Sequence, residues 1–206
     1  MTQFDEAFVD ASAFQPPSKW QARSSNLMVW LTLAMLLVAG WFFKDWMMSQ
    51  FRYLALAEGE PAIPYPAQWQ PQPAQDLALQ VFDPDGQSPF TARENVAILP
   101  LPDAPIAIAW PEQRQQQLHD YHETDRLLVT LKDGRQALLL SYTYVENGSE
   151  EVDGPRVITA QDLVFAVNDG QADRLAVVTL AADADEWEIV SPTYQRILRQ
   201  MGVTTP

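Results

Sequence analysis

Leu27 to Phe43 reads LMVWLTLAMLLVAGWFF, seventeen residues with no charge and one hydroxyl, Thr32. At 1.5 Å per residue such a run makes roughly 25 Å of apolar helix, slightly short of a bilayer core. The deficit closes if Lys44 extends its head to the interface while Trp46, Met47 and Met48 carry the helix on, giving about 20 lipid-compatible residues. Trp30, Trp41 and Trp46 suit the boundary where an indole ring has one wet edge. A cleaved export signal would have an apolar region of about 7 to 15 residues and a small-residue cleavage site; this run is followed by Lys44, Asp45 and Trp46. A soluble core helix would show a polar stripe at a 3.6 period, and none is present. The stretch predicts a permanent single-pass anchor, with Leu27, Trp30, Leu37, Trp41, Phe43 and Trp46 against lipid.

Orientation rests on weaker signals. Lys19 and Arg23 precede the span and Lys44 and Arg52 follow it, so the positive-inside count is a tie. From Tyr53 onward there are 23 acids against 9 bases, and an acidic domain avoids the negative potential of a cytoplasmic leaflet. The expected placement is the cell membrane, with the N-terminus cytoplasmic and the C-terminal domain extracytoplasmic.

The whole chain carries 27 acids and 13 bases, a formal charge of −14. Nucleic acid is excluded as an expected partner, because phosphate binding needs a basic stripe. With no cysteine, disulfides, thiol nucleophiles, thiolate-held iron–sulfur clusters and covalent c-type haem are excluded as well. The expectation is a chain without cofactors.

Four regions follow. Residues 1–25 read as an N-terminal tail with Phe4, Phe8, Phe14 and Trp20. Residues 26–58 read as the transmembrane helix with an extension of about three turns through MMSQFRYLALAEGE, stopped by Gly59 and Pro61. Residues 59–75 contain PAIPYPAQWQPQPAQ, a proline-rich strap in extended polyproline conformation; its Tyr65 and Trp69 suggest burial against a partner protein. Residues 76–206 read as a mainly antiparallel domain with two peripheral helices. Its strands are expected at DLALQVF, NVAIL, IAIAW, the two runs flanking Asp133-Gly134, then RVITA, DLVFAVN and RLAVVTL. Asp133-Gly134 is the pair selected by a type I′ hairpin turn. PEQRQQQLHDYHETD is expected to be a polar helix beginning at Pro111, and Ser191 to cap a C-terminal helix with Pro192 at its first position. The fold class is α+β.

Chemistry-bearing patterns are sparse. HDYHE contains both histidines; on a helix His119 and His122 share a face with Glu123 nearby, a weak divalent-metal set, against the plainer reading of a polar helix flank. DPDGQSPFTARE matches a calcium loop at Asp83, Asp85, Gln87 and Glu94, but Ser88 stands where glycine is obligatory, so a turn is expected. DADADEWE and EEVD read as solvated acidic loops. No serine lies in a nucleophile-elbow or S-x-x-K context and no phosphate-binding glycine loop occurs. No catalytic residue is expected; a hydrolase built on His119 or His122 is the minor possibility.

An uncharged span offers no proton or ion path of its own. In layout, the run LMVWLTLAMLLVAGWFF, the strap PAIPYPAQWQPQP and the missing haem and iron–sulfur motifs resemble the small single-span accessory subunits of bacterial energy-transducing complexes, in particular those of the quinol-oxidising alternative complex III. That resemblance implies a non-catalytic scaffold subunit, with haem and iron–sulfur groups carried by partner subunits and electrons drawn from menaquinol. No functional residue is carried over. As a scaffold, the chain should bury Phe14, Trp20, Tyr65 and Trp69 against other chains. The competing class is a free-standing anchored binding or sensory module, which should instead show a concave, partly apolar site within residues 76–206.

Overall fold

The computed structural model describes residues 19–48, 50–56, 60–147, 154–168 and 172–203. Two compact units result, Met1–Met47 and Met48–Pro206. The first is carried by helix α1, Lys19–Met48, which begins within the expected tail. Among the described residues one helix is long and apolar enough to cross a membrane, through its Leu27–Lys44 stretch. Leu27, Trp30, Leu37, Trp41, Phe43 and Trp46 are all exposed on it. The Thr32 hydroxyl donates to the Met28 carbonyl at 2.9 Å, so its one hydroxyl is satisfied internally, as a lipid environment requires.

The helical extension is not present. α1 ends at Met48, and Phe51–Leu54 forms strand β1, paired antiparallel with β2, Ile63–Pro66. The strap is therefore part of the fold. Pro64 and Pro66 lack donors, which restricts β2 to a two-stranded edge pairing. Ile63 and Trp69 are buried in the domain's own core, and Trp69 meets Tyr194 edge-on at 5.9 Å.

The main sheet has seven antiparallel strands in the order β3-β4-β5-β9-β8-β7-β6. These are β3 Gln70–Pro71, β4 Leu79–Phe82, β5 Arg93–Pro100, β6 His119–Thr130, β7 Gln136–Glu146, β8 Arg156–Asn168 and β9 Asp173–Asp183. RVITA and DLVFAVN are one strand, β8, which runs through Gln161-Asp162 without a turn. One face packs under helix α3, Trp187–Gln200, with the β1–β2 pair; it holds Leu139, Leu163, Phe165, Val178 and Tyr194. The other face holds Leu138, Leu140, Val164 and Val177 beneath helix α2, Ile106–Gln117. β7, β8 and β9 bury side chains on both faces of the sheet, which explains their continuous apolar runs.

IAIAW is not a strand: it opens α2. Ile106, Trp110 and Arg114 are spaced by four, so a helix places them on one face, and burying Trp110 on the sheet outweighs the alternation of isoleucine and alanine. Pro111 sits inside α2 and removes the donor that Ala107 would have received. Arg126 supplies one, its Nη1 donating to the Ala107 carbonyl at 3.0 Å. The helix stops at Leu118, in extended backbone, so HDYHETD belongs to β6. The β6–β7 hairpin forms where expected, but only Gly134 has positive φ, +87°; Leu131 N–H donates to Arg135 O and Gly134 N–H to Leu131 O. This is a three-residue connection with glycine in the left-handed position rather than a type I′ turn. α3 begins a turn before Ser191, with Pro192 inside it; the Ser191 hydroxyl reaches the Glu188 carbonyl at 3.5 Å, the acceptor that Pro192 leaves without its helical donor.

Candidate functional site: a cleft beside helix α2

α2 covers the β6–β7 side of its sheet face and leaves the β5–β9 side open. The result is a cleft of about 490 Å³ whose walls include Arg93, Asn95, Gln113, Arg114, Gln117 and Tyr144, with Leu77, Leu99 and Leu118 as apolar surface. That volume falls in the usual range of ligand sites, about 300–1,000 Å³.

Its floor is organised by Asp162, fully buried in the middle of β8 and aligned with Leu140 and Thr179 on the neighbouring strands. Asp162 accepts hydrogen bonds from Trp110 Nε1 at 2.7 Å, Arg114 Nε at 2.7 Å, Arg114 Nη2 at 3.2 Å and the Tyr142 hydroxyl at 3.1 Å. Arg114 Nη2 also donates to Thr179 Oγ1 at 2.8 Å, and the guanidinium lies 4.6 Å from the Trp110 ring centre. Burial alone would lower the Arg114 pKa, but Asp162 outweighs it and holds the guanidinium above its ordinary value. A buried carboxylate is tolerable in a sheet only with such partners. Burial raises the Tyr142 phenol well above its ordinary value, and burial with Glu146 pushes Tyr144 up to about 12. At the open end Arg93 pairs with Glu146 at 2.9 Å and lies over the Phe90 ring. Both guanidinium groups of the cleft are thus neutralised by carboxylates of the same domain.

The expected metal set loses its geometric premise. His119 and His122 lie on strand β6, not a helix, and a bulge separates them, with Asp120 at φ 50°. Glu123 is held by Arg126, at 2.8 Å to Nε and 2.6 Å to Nη2, while His119 Nε2 faces Asp120 at 3.5 Å. Among the described residues no group of three or more His, Cys, Asp or Glu could hold a metal ion. The DPDG segment is a turn, with Asp85 N–H donating to Asp83 Oδ1, and Glu94 is fully buried in β5.

The acidic segment DADADEWE is a structural knot rather than a solvated loop. Asp183 accepts from Ser88 Oγ at 2.7 Å and from Arg156 Nη1 at 3.1 Å, and Glu186 Oε1 accepts from the backbone N–H of Gln87 and Ser88. Burial raises the Asp183 pKa, but Ser88, the Asp185 N–H and Arg156 together bring it below its ordinary value. Of the residues expected to meet a partner, Trp69 is buried in its own domain and Tyr65 packs against that core. Phe14, the Trp20 side chain and EEVD lie outside the described residues.

Sequence reasoning missed the Trp110–Arg114–Asp162 network. The available signal was one acid inside the apolar run of β8. Glu94 is a second such acid: fully buried on the α3 face, with neither carboxyl oxygen hydrogen-bonded, and held well above its ordinary pKa by burial.

No family model matches the chain, and no curated protein matches it. Among solved structures it resembles the crystal structure of LpqN, involved in cell envelope biogenesis of Mycobacterium tuberculosis, at 16% identity and a TM-score of 0.50, over 72% of this chain and 87% of that one. It also resembles the solution structure of cyanobacterial PsbP (CyanoP) from Synechocystis, at 13% identity and a TM-score of 0.50, over 76% and 94% of the two chains. The likeness is one of fold. It supports an α+β fold for the domain that follows the N-terminal apolar helix.

Proposed function

We propose that this protein is a single-pass, membrane-anchored, non-catalytic accessory module with an extracytoplasmic domain, whose α2 cleft receives an uncharged ligand rich in hydrogen-bonding groups. The observation that carries this reading is the internal pairing of both guanidinium groups of the cleft. An incoming anion would have to displace Asp162 or Glu146 from a guanidinium, and an incoming cation would find those two carboxylates occupied and meet only Asp76, exposed to water at the rim. Amide and phenol groups remain on the wall beside leucine surface, the mixture of apolar area and a few placed polar groups that binds neutral small molecules.

The test is a thermal-shift screen of the full chain in detergent micelles. It uses a panel of neutral solutes, among them amides, short uncharged peptides and oligosaccharides, together with their carboxylated and aminated counterparts. Neutral members should raise the midpoint for the wild type and not for Gln113→Trp, which fills the cleft. Stabilisation by charged members alone would overturn the reading. For topology, protease added to spheroplasts should digest the domain while sparing a cytoplasmic N-terminal tag; the reverse pattern refutes the orientation.

A second reading, an accessory subunit of an alternative complex III acting as scaffold for electron-transfer subunits, is favoured by the aromatic-rich, fully exposed surface of the anchor helix. The strap supports it less, since Trp69 is occupied within the chain. Mild extraction, native electrophoresis and mass spectrometry test it: haem absorbance and quinol oxidation in the band containing this chain support it, and migration alone refutes it.

A further inference from the structure

The two edges of the main sheet are built differently. β3 is two residues long, includes Pro71 and is followed by Pro73, so it offers little to a further strand. β6 is twelve residues long, and among the described residues its outer edge has no backbone partner. Its first half is protected by irregularity: register shifts fall between His119 and His122 and between Glu123 and Asp125, and charged side chains cluster there. Its second half, Arg126-Leu127-Leu128-Val129-Thr130, pairs with β7 in unbroken register and contains no proline or bulge. Leu128 is 70% exposed at its centre. Open, regular, apolar edges of this kind pair with another strand.

We propose that this edge pairs antiparallel with the same edge of a second copy of the chain, with Leu128 on the two-fold axis. The segment is self-complementary in that register. Leu128 faces Leu128, Leu127 faces Val129 twice, and Arg126 faces Thr130 twice, so no like charges oppose each other. Leu127 and Val129 pack on the α3-side core, so pairing continues that apolar layer from one copy into the next. Moving the axis to Leu127 would set Leu128 against Arg126 and Asp125 against Val129, and would draw the bulge beside Asp125 into the ladder; that register is disfavoured. Anchoring both copies in one bilayer raises their local concentration, which lets a five-residue pairing suffice.

The chain contains no cysteine, which makes the test direct. In full-length protein in native membranes, Leu128→Cys places two thiols opposite each other across the axis, at a Cα separation of about 4.5–5.5 Å, within disulfide reach. Mild copper–phenanthroline oxidation should give several-fold more crosslinked dimer than Ile189→Cys, a control site that is 77% exposed on α3. Leu128→Lys, which sets like charges on the axis at a position exposed enough to preserve the fold, should convert the detergent-solubilised dimer to monomer by light scattering while circular dichroism stays unchanged. Equal crosslinking at the two sites, a monomeric wild type, or a dimer that survives Leu128→Lys would each overturn the proposal. The ligand screen described above is independent of all three outcomes.

Discussion

Replacing Asp162 by alanine removes one partner of a buried ion pair and leaves Arg114, whose side chain is only 16% exposed, facing the floor of the sheet. Trp110 Nε1 and the Tyr142 hydroxyl lose their acceptor in the same step. Breaking a buried pair in this way costs about 3–5 kcal/mol. For a domain of this size, each kcal/mol moves the midpoint by about 2–4 °C, so the loss should be about 6–20 °C. The assay is thermal unfolding of the full chain in detergent followed by near-ultraviolet circular dichroism, with urea titration as the equilibrium measure. The decisive comparison is the double variant Asp162→Leu/Arg114→Met, which removes both charges together and replaces them with apolar volume. It should recover most of the loss, ending within about 2 kcal/mol of wild type, because hydrophobic replacement of a whole buried pair is often neutral or better. If Asp162→Ala costs less than about 1 kcal/mol, or the double variant is worse than the two single variants combined, α2 is not clamped through this pair and the account of the cleft floor fails.

Two further outcomes follow from residues at the core. Glu94 keeps its proton in the folded domain to a higher pH than in the unfolded chain, where glutamate ionises near 4.3; its contribution is therefore fully present below that pH and is lost as pH rises toward the folded value. Glu94→Met should remove this slope and raise stability at neutral pH by about 1–3 kcal/mol, measured as the wild-type minus variant difference in chemical denaturation across a pH series; a difference that is flat with pH contradicts the reasoning. Gly202 has φ +93°, and a Cβ there would lie 2.4 Å from the Lys132 backbone nitrogen, so Gly202→Ala should cost about 1–3 kcal/mol in the same denaturation experiment; a neutral result would mean the C-terminal turn shifts freely away from the hairpin.

Features set by continuous hydrophobic pattern were legible in the sequence. The long apolar helix, the β6–β7 hairpin and the buried strands β7 and β9 follow from runs of clear period or length, whereas β8 reads as two strands, RVITA and DLVFAVN, because Gln161-Asp162 interrupts its apolar run. The errors fall where local signal and tertiary burial compete. IAIAW alternates like a strand, yet the spacing of Ile106, Trp110 and Arg114 matters only once a sheet face exists to receive Trp110. HDYHETD carries no strand-forming alternation; it is extended because it borders β7, a contact made by residues about 16 to 26 positions away. The strap has the composition of a spacer, and only the location of Tyr194 shows that Trp69 has a place inside the domain. The candidate cleft was the least legible feature, since Asp162, Arg114 and Arg93 come from three distant segments and none sits in a recognisable motif.

The strand order also sets a schedule for the growing chain. β5 takes its long-range partner from β9, with Pro100 aligned to Arg174 and Arg93 to Ala181, so it must wait for more than seventy residues of synthesis before its ladder can close. Contacts of such separation pay their loop-closure entropy before any reward arrives, and sheets built from them fold slowly. β4 and β5 can meet early as a small hairpin, and β6, β7 and β8 can zip as a meander, but joining these two halves is reserved for the last strand to emerge. A chain halted before β9 would leave two sticky half-sheets, so the final thirty or so residues act as the keystone of assembly.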